Sequence, residues 1–115
     1  MKNITIYHNP RCSKSRKSIE ILNSLDVEYH VIEYLKTPLA KEELTSILNK
    51  LRLEPIDIIR TNEEEFKLND AKSDDRDELI GLIIKYPKIL QRPIISTNER
   101  AVIGRPPENI KKLFS

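Results

Sequence analysis

Prolines divide this chain before any other feature does. Seven of its 115 residues are proline, and a residue that fixes φ and lacks an N–H is excluded from helix interiors and central strands. Regular elements must therefore lie between Pro10, Pro38, Pro55, Pro87, Pro93 and the Pro106-Pro107 pair. Ahead of the first, Asn3-Ile4-Thr5-Ile6-Tyr7 is short, β-branched and aromatic, a strand stopped by Asn9-Pro10. From Ser13 to Leu25, Ile19, Leu22 and Leu25 recur at helical spacing among Lys, Arg, Ser and Glu, with Ile21 beside them, which predicts a first helix. Val27 to Leu35 carries Tyr29, Val31, Ile32 and Tyr34 and predicts a second strand. A helical crossover would make it parallel to the first, with right-handed connectivity.

Thr37 followed by Pro38 reads as an N-cap with proline at the first helical position. Ala40, Leu44, Ile47, Leu48 and Leu51 then share one face, predicting a helix over 38–51. Glu54-Pro55 restarts a short helical turn through Ile56, Ile58 and Ile59 that ends near Arg60, and polar residues 61–65 cap the next piece. Asp75 with Glu78 resembles a capping box, and Leu79, Ile80, Ile83 and Ile84 give the following helix its apolar face before Pro87. Residues 93–97 and 100–103 flank Asn98-Glu99 as a β-hairpin, although Glu99 is not the glycine a two-residue turn favours. Pro107 opens a last helix with Ile110, Leu113 and Phe114. The order is β-α-β, helices, β-β-α. It predicts an α/β, thioredoxin-like fold: a mixed four-stranded sheet with flanking helices and a helical insertion at about 38–87. A chain this long fits one domain, residues 1–115, with a core able to stand without disulfides or a structural metal.

Composition removes several functions. Twenty basic against 18 acidic residues leave a formal charge of only +2, unlike a dedicated nucleic-acid binder. No apolar run approaches the ~20 residues of a membrane helix, and the polar opening with an early proline is not a signal peptide. A soluble, cytoplasmic monomer is expected. One cysteine forms no internal disulfide, and with two distant histidines it makes a poor zinc site. The two glycines, Gly81 and Gly104, are too few for either Gly-rich phosphate-binding motif.

Attention then falls on the thiol. Cys12 lies in His8-Asn9-Pro10-Arg11-Cys12-Ser13-Lys14-Ser15-Arg16, a loop that leaves a strand and opens a helix. A helix N-terminus offers unpaired N–H groups and the positive dipole end, which favour a thiolate and can also bind an oxyanion. Such a site lowers a thiol pKa from about 8.5 to roughly 3.5–7.5, and Arg11, Lys14 and Arg16 push the same way. The competing reading is a buried, inert cysteine. Against it, Cys12 stands alone among polar residues between Tyr7 and Ile19. His8, four residues earlier, is within loop reach of the thiol and could hydrogen-bond it or hold a positive charge beside it; a plain surface histidine is the alternative. His30 has no assigned role. Ser15 stands where a CxxC motif would have its resolving thiol, so a redox cycle needs an external thiol. Ser18 stands where a CxxxxxR oxyanion loop would have its arginine, so that arrangement fails.

His8-Asn9-Pro10-x-Cys12-x-x-Ser15-Arg16 resembles the active-site segment of the glutaredoxin-dependent arsenate reductase family. The resemblance extends along the whole chain, to Arg60, Gln91-Arg92-Pro93-Ile94 and Gly104-Arg105-Pro106-Pro107-Glu108. It implies that Cys12 is the nucleophile, that His8 favours the thiolate, and that Arg60, Arg92 and Arg105 hold the arsenic oxyanion. It further implies a cis Pro93 facing the thiol, glutathione as co-substrate, glutaredoxin as partner, and no bound cofactor. Planar guanidinium forks suit a tetrahedral oxyanion, and Arg-Pro steps restrict the backbone of Arg92 and Arg105. Two departures bear on the substrate: the chain stops at Ser115, short of the better-known members, and Arg11 adds a charge before the nucleophile. Two alternatives stay open. One is an Spx-like regulator binding RNA polymerase, a group that typically carries CxxC. The other is a glutathione-dependent thiol oxidoreductase without arsenate activity.

Overall fold

The computed structural model describes residues 4–37, 39–60, 63 and 75–114. The chain divides into two compact units, residues 1–37 with 92–115, and residues 38–91.

The first unit carries the sheet. β1 (Thr5–Tyr7), β2 (His30–Ile32), β3 (Ile94–Ser96) and β4 (Ala101–Ile103) lie in the order β2-β1-β3-β4. β1 runs parallel to β2 and antiparallel to β3, and β3 is antiparallel to β4, so the sheet is mixed as expected. α1 (Ser13–Ser24) is the crossover between the parallel pair. Ile6 stands opposite Ile95, and both are fully buried in a cluster with Ile4, Leu22, Ile110 and Leu113. Leu22 comes from α1, while Ile110 and Leu113 come from the 3₁₀ stretch Pro107–Phe114, a tighter winding than the α-helix expected there. Burying a side chain of this size is worth about 1.5–3 kcal/mol. This cluster therefore fixes α1, and with it the cysteine at its start, on the sheet.

The second strand is shorter than the sequence suggests. Val27 to Leu35 is apolar enough for a long strand, but β1 offers only Thr5, Ile6 and Tyr7 as partners, so pairing stops at Ile32. The chain then turns, with the N–H groups of Lys36 and Thr37 both donating to the Glu33 carbonyl at 2.9 Å. Thr37 is thereby used in a turn and does not cap the next helix. α2 (Lys41–Leu51) begins three residues later than expected, with Ala40 at its N-cap and Glu42 and Glu43 complementing the dipole in its first turn. Pro38, expected as its first residue, lies outside the described residues.

The hairpin forms without the glycine its turn seemed to need. Thr97 N–H donates to the Arg100 carbonyl at 2.7 Å. The Thr97 hydroxyl accepts from the N–H groups of Arg100 and Glu99 at 3.1 and 3.4 Å. A side chain that satisfies the turn's donors lets Asn98-Glu99 avoid the left-handed region altogether.

In the second unit, α2 packs against α3 (Arg76–Lys85). Leu44, Ile47, Leu48, Leu79, Ile80 and Ile83 are buried. Asp75 caps α3, its Oδ1 accepting from Glu78 N–H at 3.0 Å. A short 3₁₀ turn, Pro55–Ile58, leads to Ile59, which bridges antiparallel to Leu90. Arg60 N–H donates to the Ile89 carbonyl at 2.6 Å, so the backbone of Arg60 is pinned. Of residues 61–65, expected to cap a further piece, only Glu63 is among the described residues. Among the described residues no helix is long and apolar enough to cross a membrane.

Candidate active site

Cys12 is the N-cap of α1, with extended φ and ψ of −93° and 124°. Its N–H donates to the Asn9 carbonyl at 3.0 Å, and its carbonyl accepts the first helical hydrogen bond, from Arg16 N–H at 3.0 Å. An N-cap side chain normally takes the N–H of the second or third helical residue, here Lys14 and Ser15. The side chain as placed closes no such capping bond, yet these are the backbone donors that favour its ionised form. Partial burial pushes the thiol pKa up, but Ser15 N–H, a hydrogen bond from the Arg92 guanidinium, Lys14 N–H and the Arg92 charge together hold it below the ordinary value. Cys12 is half-buried, a compromise between access and field.

Arg92 comes from the segment leading into β3, where the Arg92-Pro93 peptide is cis. Its side chain is half-buried, and its Nε is buried with no hydrogen-bond partner among the described residues. A buried guanidinium donor left unmatched is costly.

His8 and Ser15 form a second, buried pair. His8 Nδ1 lies 2.6 Å from Ser15 Oγ, and Ser15 Oγ accepts Asn9 N–H at 3.0 Å. The imidazole Nδ1 thus bonds to the residue three beyond the thiol. Burial pushes the His8 pKa down, and the opposing charge of Glu33 does not reverse it. The ring is neutral at pH 7, and the hydroxyl donating to Nδ1 fits the tautomer with the proton on Nε2. Asn9 Oδ1 accepts Arg11 N–H at 3.0 Å, so the loop holds itself from both ends.

Arg105 follows β4 on a loop fixed by Asn109, whose Nδ2 donates to the carbonyls of Ile103 and Arg105 at 3.1 and 3.2 Å. Its side chain is exposed. Arg60 belongs to the other unit, where it pairs with Glu63 at 2.8 Å; Glu63 also meets Lys88 at 3.7 Å. Among the described residues there is no group of three or more His, Cys, Asp or Glu that could hold a metal ion.

A strand leading by a short loop into a cysteine, a helix that begins at that cysteine, and an arginine that lowers its pKa narrow the choice of family. The family model described as ArsC matches residues 7–113. The chain belongs to the ArsC family. An arsenate reductase of Neisseria meningitidis serogroup A is 40% identical, the match covering 99% of this chain and 100% of that protein. An arsenate reductase of Escherichia coli K12 is 32% identical over 99% of this chain and 82% of its own length. The solved structure of an arsenate reductase from Vibrio cholerae superposes with a TM-score of 0.90 at 38% identity, covering 96% of this chain and 97% of that one. The thioredoxin-like architecture is that of the ArsC structures.

Among the residues singled out from this ArsC sequence, Arg92 is the one whose guanidinium helps hold the Cys12 thiol below its ordinary pKa. The structure gives His8 a different neighbour, Ser15, and Arg60 an acidic one. Ser15, Asn9 and Asn109 were missed as supports of the site. Ser15, Ser18 and Leu22 are all buried and share a helical face. That spacing is the signal by which a serine could have been read as inward-facing.

Proposed function

We propose that this protein is a thiol-dependent arsenate reductase, working as a cytoplasmic monomer with no bound cofactor. The observation that carries this reading is Arg92, whose guanidinium helps lower the Cys12 pKa while its buried Nε has no partner among the described residues. One guanidinium can thus favour the thiolate and offer a donor to an oxyanion in contact with it.

Cys12 acts as the nucleophile. Its thiolate attacks arsenic, an S–As bond forms, and an arsenate oxygen leaves as water after taking up two protons; arsenic stays As(V). Glutathione thiolate then attacks the Cys12 sulfur. The S–As bond breaks with its electron pair passing to arsenic, which becomes As(III) and leaves as arsenite, while Cys12 and glutathione form a mixed disulfide. Glutaredoxin removes the glutathione by thiol exchange and returns Cys12. Arg92, Arg105 and Arg60 hold the oxyanion and draw charge from arsenic, which eases the approach of two anions. For Arg60 this role requires competing with Glu63 for the same guanidinium. His8 acts neutral and through Ser15, keeping the loop that presents the thiol in shape.

Purified protein given arsenate, glutathione and glutaredoxin should oxidise glutathione in an arsenate-dependent way. No turnover above the rate without protein, in a preparation whose Cys12 is fully reduced, would reject the assignment.

A further inference from the structure

We propose that Gly104 is a positioning residue for the reacting thiol: its lack of a side chain sets how closely α1 and the Arg92-Pro93 segment approach, and so where the donors around Cys12 stand. Gly104 N–H donates to the Pro93 carbonyl at 2.8 Å. A Cβ at this position would lie 2.8 Å from Ser18 Oγ, 2.9 Å from Pro93 Cγ and 3.1 Å from Ile95 Cδ1. The first two are closer than real Cβ atoms approach. The backbone at Gly104 is not left-handed, so space and not conformation calls for glycine. Gly81 gives the contrast, since a Cβ there meets nothing within 4 Å.

The three neighbours have little room to retreat. Ser18 and Ile95 are fully buried, and the Ser18 hydroxyl is tied to the Lys14 carbonyl at 2.9 Å. Pro93 Cγ belongs to a ring. An added methyl must therefore push α1, at Ser18, and the Arg92-Pro93 segment apart. Both sides of that gap end at Cys12: Lys14 and Ser15 supply N–H groups from the helix, and Arg92 supplies a guanidinium. Separating them weakens the field on the sulfur from both directions at once.

This inference rests on Cys12 being the reacting thiol, and the test keeps the two apart. The pH dependence of Cys12 alkylation by iodoacetamide, a neutral reagent, would be followed for the wild type, Gly104→Ala, Gly81→Ala and Ile110→Val. Gly104→Ala should move the profile to higher pH and slow alkylation at pH 6.5 by about threefold or more, as half a pH unit requires. Ile110→Val, a fully buried change elsewhere in the same unit, should lower the melting midpoint without moving the profile. Gly81→Ala should leave the profile in place. A Gly104→Ala profile that coincides with the wild type overturns the proposal, as does an equal shift in Ile110→Val. If Gly104→Ala does not fold, Ser18→Ala/Gly104→Ala removes one of the close contacts and carries the same comparison. A wild-type Cys12 that titrates like a free thiol would instead defeat the activated-thiol reading.

Discussion

Ser15 Oγ sits 2.6 Å from His8 Nδ1, so a residue on α1 holds the residue that follows β1. Both are buried, and the same hydroxyl takes the Asn9 N–H. The loop carrying Cys12 is closed across its base by side chains, and the imidazole spends its Nδ1 on structure.

Stability should report the neutral state of His8. Burial holds its folded pKa below the ordinary value, so the unfolded chain takes up a proton first, near pH 6.5. This contribution is fully present above that pH and is lost as pH falls from there through the lowered folded pKa. Urea midpoints of the wild type and His8→Gln should therefore converge as pH drops from 7.5 towards 5. A constant gap between them across that range would mean the imidazole is not held neutral.

Cys12→Ser separates chemistry from architecture. A hydroxyl is a far weaker nucleophile than a thiolate, so arsenate turnover should vanish. Serine is also a strongly preferred N-cap. The variant should be as stable as the wild type or gain up to about 1 kcal/mol in denaturant titrations at pH 6. A loss of more than that would show that the sulfur packs in a way the helix start does not explain.

Arg92→Lys should keep charge beside the thiol but lose the fork. One charge-assisted hydrogen bond is worth about 1.5–3 kcal/mol, so kcat/KM for arsenate should fall roughly ten- to a hundredfold. Arg92→Gln should also raise the pH at which Cys12 alkylates, because the guanidinium is among the groups that hold the thiol pKa down. Wild-type arsenate kinetics in the lysine variant would leave Arg92 with the thiol alone.

Glu63→Gln addresses the arginine in the other unit. Arg60 and Glu63 pair at 2.8 Å and are both half-buried. Such a pair is worth about 1 kcal/mol or less. Releasing Arg60 for an anionic substrate should lower KM for arsenate by up to roughly fivefold. An unchanged KM, together with normal kinetics in Arg60→Ala, would make the pair a surface feature of its own unit.

Much of the fold was legible because local rules sufficed. Asn9-Pro10 does stop a strand, Asp75 does cap a helix, and the runs flanking Asn98-Glu99 do pair. The errors came where a distant segment decided the outcome. β2 ends at Ile32 because β1 has no more residues to offer, which the apolar run through Leu35 could not reveal. Thr37 loses its cap to a turn made by Glu33. At the site, Cys12 stood out from its position alone, whereas the partners of His8 and Arg60 depended on which side chains folding brought within reach. Gly104 could be counted in the sequence, but the space it leaves for Ser18 and Pro93 exists only in three dimensions.

Because Cys12 occupies the cap position of α1, the residue that reacts is also the one at which the helix begins. A sulfur bonded to arsenic or to glutathione carries no negative charge, so at those stages the N–H groups of Lys14 and Ser15 lose their anionic acceptor. Amide exchange at these two residues should therefore be slower with Cys12 free than with its sulfur alkylated.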